Sequence, residues 1–170
     1  GAFAGLPAVG DVDYNDPGFS ENDDYRRTPS TQQFGSARSG NGVVQLTPNA
    51  GGQQGSLILP PTAVTGPKLD VSFELYIGDG SGADGFSFNY GDLPDASFGE
   101  QGAGAGLRVE LDTWSNGSAE GFDDEANTIE VWYANTRVAK AANITLRTAS
   151  YVPVRIQHDG NTLKVTHNGV

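Results

Sequence analysis

The chain has 170 residues, 21 of them acidic and 10 basic, for a formal net charge of −11. That length suits one domain with a sizeable hydrophobic core, and the acidity excludes phosphate-backbone binding, which draws on clustered Lys and Arg. With no cysteine, no disulfide staples the fold, and no apolar run approaches the ~18 residues that would insert in a membrane.

Residues 1–40 are polar and acidic, carrying Asp11, Asp13, Asp16, Glu21, Asp23 and Asp24, and read as a surface arm or long loops. Asp11, Asp13 and Asn15 have the spacing of a calcium-binding helix–loop–helix turn. Asp16, however, stands where that loop needs Gly, so a solvated acidic loop is expected. A single domain is expected over 41–170. The 24 Gly and 9 Pro, among Val, Ile, Leu, Phe and Tyr, favour short strands and tight turns. Residues 42–46 and 55–59 flank a turn-rich Pro48-Asn49-Ala50-Gly51-Gly52 and predict a β-hairpin. Residues 68–77 alternate, with Leu69, Val71, Phe73, Leu75 and Ile77 on one face. A turn at 79–82 precedes a strand over 85–90, then a Gly- and Ala-rich loop at 91–106 of a length that is usually functional.

A strand over 107–114 follows, then another at 128–133, a turn at Ala134-Asn135 and a short strand at 136–140. Residues 152–158 and 162–167 predict a hairpin closed by Asp159-Gly160. No segment shows sustained helical periodicity. The pattern predicts an all-β sandwich of antiparallel strands.

The stretch richest in chemistry is Glu110-Leu111-Asp112-Thr113-Trp114-Ser115-Asn116. Side chains in a strand alternate between faces, which would put Glu110, Asp112, Trp114 and Asn116 together. Two carboxylates and an amide at that spacing form a row of oxygen donors of the kind Ca2+ takes. The loop that follows can fold back and add Asp123 or Asp124.

Three stretches, in order, resemble the concanavalin A-like lectin/glucanase superfamily, the legume-type (L-type) lectin and laminin-G-like jelly rolls. Gly82-Ala83-Asp84-Gly85-Phe86-Ser87-Phe88 is similar to its Ala-Asp-Gly-aromatic loop and strand. Gly102-Ala103-Gly104-Ala105-Gly106-Leu107 is similar to its glycine-rich loop, and the strand from Val109 to Asn116 to its metal strand. The resemblance implies a jelly-roll β-sandwich in which Asp84 accepts hydrogen bonds from sugar hydroxyls. A backbone N–H of Gly104 or Ala105 would assist, and Asn116 would bind both metal and sugar. Asp112, the carbonyl of Trp114, Asn116 and Asp123, with Asp124 the alternative, would hold Ca2+. Family members often carry a cis peptide before the sugar-binding Asp, here Ala83–Asp84.

Two departures stand out. The legume second metal site needs a His at the place of Thr128, so that site is expected to be absent and Glu110 loses its family role. The chain also stops just after Asn168-Gly169, where family members continue. The expectation is that the C-terminal strands are missing or come from another chain.

These readings imply an extracellular, calcium-dependent lectin- or adhesin-like module whose partner is a cell-surface glycan. The alternative is a structural subunit of a filament or matrix, a homo-oligomer built by strand exchange. Laminarinase-type glucanases share the jelly roll and use a Glu-x-Asp-x-x-Glu strand. Glu110 and Asp112 match its start, but Ser115, or Asn116 in the bulged form, stands at the last Glu. An enzyme is therefore not expected. His158 and His167 sit beside turns and read as surface residues. Trp114 and Trp132 read as core or as sugar-stacking residues. The sequons at Asn116 and Asn143 are short enough to arise by chance.

Overall fold

A computed structural model describes residues 32–59, 68–78, 84–117 and 125–170. Every regular element of length among them is a strand: β1 (Gln32–Gly35), β2 (Arg38–Gly40), β3 (Val43–Gln45), β4 (Gly55–Ile58), β5 (Leu69–Tyr76), β6 (Gly85–Tyr90), β7 (Leu107–Asp112), β8 (Thr128–Tyr133), β9 (Thr136–Ala141), β10 (Tyr151–His158) and β11 (Leu163–His167). All pairings are antiparallel. The all-β expectation holds among the described residues. Among the described residues the first strand starts at Gln32, ahead of the expected start near Val43.

The strands divide between two compact units. One holds a three-stranded sheet in the order β11-β10-β5. Its strands alternate as the sequence requires. Asp70, Ser72, Glu74 and Tyr76 are exposed on β5, while Val152, Val154 and Ile156 are buried on β10. His158 continues that buried row, and His167, paired across from Val154, shares it. The histidines are thus core residues at 3% and 2% exposure, not surface ones. Strand period outweighs proximity to a turn. His158 Nδ1 accepts from the Gly160 amide at 3.3 Å, and burial holds the His167 pKa below its ordinary value.

The other unit holds the four-stranded sheet β6-β7-β8-β9 and the two small pairs β1-β4 and β2-β3. The expected hairpin between 42–46 and 55–59 does not form. β3 pairs with β2 across a two-residue turn in which Asn41 and Gly42 both have positive φ, 53° and 77°. That Asn-Gly pair is the strongest short-range hairpin signal, and it outcompetes the more distant partner. β4 pairs with β1 instead.

In the large sheet, Leu107, Val109 and Leu111 on β7, with Ile129 and Val131 on β8, form the apolar face. The opposite face is polar. The register sets Ser87, Glu110, Glu130 and Lys140 in one row, and Asn89, Arg108, Trp132 and Arg137 in the next. Residues 137 and 140 have opposite parity, so a regular strand would send one to each face. A bulge opposite Val131/Trp132 skips Val138 and brings both cations to the polar face.

Candidate functional site

At one end of the β6–β7 hairpin, Gly85 pairs with Asp112. The chain then ties itself together. Thr113 N donates to the Asp84 carbonyl at 2.7 Å and Thr113 Oγ1 does so at 3.1 Å. Arg147 Nη2 in turn donates to Thr113 Oγ1 at 2.9 Å. Gly85 has φ 150°, and a Cβ there would strike the Leu111 carbonyl. Only glycine lets the chain after Asp84 lie so close to β7. Asp84 and Asp112, distant in sequence, are held side by side at one strand end.

The extended row expected through Asn116 is not what forms. β7 ends at Asp112, and Trp114 N turns back to donate to Asp112 Oδ1 at 2.8 Å. This aspartate-capped turn is a local competitor of strand extension. Trp114 and Asn116 therefore belong to a turn, and Trp114 is 50% exposed instead of core. The chain comes back at Asn127, whose N donates to the Asp112 carbonyl at 2.8 Å. Asp112 thus receives a backbone N–H from each side of the segment between. Asp123 and Asp124 lie outside the described residues, as does Ala83 of the Ala83–Asp84 peptide. Among the described residues, no three His, Cys, Asp or Glu side chains gather in a metal-binding group.

Gly104 and Ala105 lie elsewhere. The 91–106 loop joins Tyr90 to Leu107, the far end of the hairpin from the Gly85–Asp112 pair. A strand of that length separates them by about 17 Å. The loop folds over the polar side of β6: Ser87 Oγ donates to the Gly99 carbonyl at 3.1 Å, and Ala103 N to Asn89 Oδ1 at 3.0 Å.

Along the polar face between these two ends sits a cluster that the motif reading passed over, apart from Glu110 and an ambiguous Trp132. Glu110 and Glu130 are buried and directly opposed across β7 and β8. Like charges so placed repel, and the fold resolves this unequally. Glu130 is well served: Arg137 Nη1 donates to Oε1 at 3.0 Å, Lys140 Nζ lies 3.7 Å away, and Trp132 Nε1 donates to Oε2 at 3.2 Å. Glu110 has Arg108 Nε at 3.6 Å. Burial pushes its pKa up to about 8; Arg108 and the Trp132 indole oppose the rise, while Glu130 and Glu100 add to it. Trp132 lies between two guanidiniums, Arg108 at 5.3 Å and Arg137 at 6.0 Å from its ring. The alternation Glu130-Val131-Trp132 in a clear strand was a legible signal for half of this cluster. Nothing in the sequence marks the bulge that delivers Arg137 and Lys140.

No protein-family model matches the chain, and no curated protein matches it.

Proposed function

We propose that the antiparallel sheets belong to a concanavalin A-like jelly-roll β-sandwich, and that the protein is a non-catalytic, calcium-dependent carbohydrate-binding module acting outside the cell. The observation that carries this reading is the tie between Asp84 and the end of β7. It couples the sugar-binding aspartate of the resemblance to the metal-binding one. The donors that the resemblance assigns there are oxygens: the Asp112 carboxylate, the Asn116 amide oxygen and the Trp114 carbonyl. That chemistry suits a hard cation such as Ca2+, which takes about six to eight oxygens. The remainder would come from water and from Asp123 or Asp124. The ion would order the turn after Asp112 and, through Thr113, the Asp84 backbone. Asp84 and Asn116 would then accept and donate hydrogen bonds to sugar hydroxyls.

Calcium titration with thermal melting and glycan-array binding tests this. Asp112→Ala is expected to lower the melting temperature in calcium and to change little in chelator. At calcium one hundredfold above its dissociation constant, the lost stabilisation is about 2.7 kcal/mol. Asp84→Ala is expected to abolish glycan binding while melting normally. Identical melting of the unaltered protein with and without calcium counts against the metal.

A further inference from the structure

We infer that an extended, neutral glycan lies along β7, from Asp84 at one end of the strand toward the 102–106 loop at the other, with Arg108 and Glu110 reading its hydroxyls at mid-strand. This deepens the carbohydrate reading of Asp84 and rests on it.

The first observation is Arg108 itself. Its guanidinium carries five N–H donors, and its side chain is only 17% exposed. Its carboxylate neighbour Glu110 is 3.6 Å away, beyond hydrogen-bond distance, and its other contact is the Trp132 ring. Among the described residues it donates no hydrogen bond. Covering a guanidinium without giving its donors an acceptor is costly, so these donors fit a partner from outside the fold. The other two cations of the face differ. Arg137 bonds to Glu130, and Lys140 lies 3.1 Å from Glu125.

The second observation is what stands next to it. Glu110 lies two residues on, on the same face of β7, with an acceptor-rich carboxyl group. A fork of donors beside a carboxyl matches the adjacent hydroxyls of a sugar ring, each of which both donates and accepts. The chain as a whole carries a net charge of −11, which favours a neutral glycan over a polyanion.

The third is position. Arg108, Glu110 and Asp112 share one face and span about 13 Å, longer than a single hexose ring. Beyond Leu107 come Ala105 and Gly104, the other half of the recognition set that the resemblance implied. A chain of several sugars is long enough to touch both halves.

The test uses the sugar that binds best on a printed array, titrated in calcium as monosaccharide and as linear tetrasaccharide. The unaltered protein is expected to bind the tetrasaccharide at least about tenfold more tightly, the size of one or two charge-assisted hydrogen bonds. Arg108→Ala is expected to erase that gain and leave monosaccharide affinity unchanged. Arg108→Lys, which keeps the charge but loses the fork, is expected to lose most of it. In the unaltered protein the tetrasaccharide, and not the monosaccharide, is expected to shift the Trp132 indole N–H resonance, which decides the matter should the variants misfold. Equal affinity for both lengths, or an Arg108→Ala variant that weakens both alike, overturns the inference. Retained monosaccharide binding in Asp84→Ala overturns the Asp84 assignment instead. No binding to any sugar on the array overturns both.

Discussion

The two larger sheets carry the same polar chemistry under different conditions. On the β5–β10–β11 sheet, Arg155 clamps Asp70 through two hydrogen bonds of 2.8 and 2.6 Å, and Gln157 adds a third at 3.2 Å. Both charged partners are about half exposed. The Arg155 hydrogen bonds hold the Asp70 carboxyl below its usual range. On the β6–β9 sheet, Glu110, Glu130 and Trp132 are buried and their cations largely covered. Geometry alone would rank the Asp70–Arg155 clamp as the stronger pair. Solvent reverses the ranking, because exposed pairs contribute little and covered ones are costly to break. Buried ion pairs are often no more stabilising than apolar residues of the same size. Stability alone therefore does not account for the polar face of β6–β9, which is where the proposed glycan would lie.

The largest expected effect tests that ranking directly. Glu130→Ala removes, from a covered position, the acceptor shared by Arg137 and the Trp132 indole, with Lys140 nearby. A loss of roughly 3 kcal/mol in urea unfolding is expected. Asp70→Ala, despite its shorter hydrogen bonds, is expected to leave the midpoint nearly unmoved. Comparable losses from the two substitutions would remove the distinction between the sheets.

A smaller effect concerns pH. In the folded chain the Glu110 pKa stands at about 8, above its ordinary 4.5. Between those values the folded state holds a proton that the unfolded state has released. Stability therefore falls as pH rises from about 4.5 and levels above about 8. Glu110→Gln, neutral throughout, is expected to flatten this decline and to be the more stable form at pH 8. Unfolding measured across that window in chelator checks it. A decline of equal slope in both proteins would assign the pH dependence to other groups.

How far these features were legible differs from residue to residue. The strands from Leu69, Gly85 and Thr128 could be read as strands, and the first with its faces, because a half-buried strand writes period two into its residues. The approach of Asp84 to Asp112 was implied only by resemblance; pattern supplies the strands but not their register. Trp114 and Asn116 were misassigned to the strand because alternation says nothing about an aspartate that caps its own turn. Arg137 and Lys140 could not be placed together, since a bulge reverses the parity on which face assignments depend. The histidines erred the other way. His158 follows Val152, Val154 and Ile156 in period, and its polarity and nearby turn obscured that.

The smallest effect lies in the turns that close the last hairpin of each sheet. β8 and β9 are joined by Ala134 and Asn135, both at positive φ, 48° and 60°. Asn tolerates that conformation, whereas a Cβ-bearing Ala costs about 1–2 kcal/mol there. β10 and β11 are joined by residues 159–162, where Asp159 Oδ1 accepts the amides of Asn161 and Thr162, each at 2.8 Å, and Gly160 takes φ 103°. One turn carries a strained alanine, and the other has glycine where glycine is needed. Ala134→Gly relieves strain but adds freedom to the unfolded chain, for an expected net gain of about 0.5 kcal/mol. Gly160→Ala imposes the strain and is expected to lower stability by about 1 kcal/mol. Opposite signs in thermal melting bear out the assignment. A loss from Ala134→Gly would mean that the β8–β9 turn owes more to restriction of the unfolded chain than it forfeits to strain.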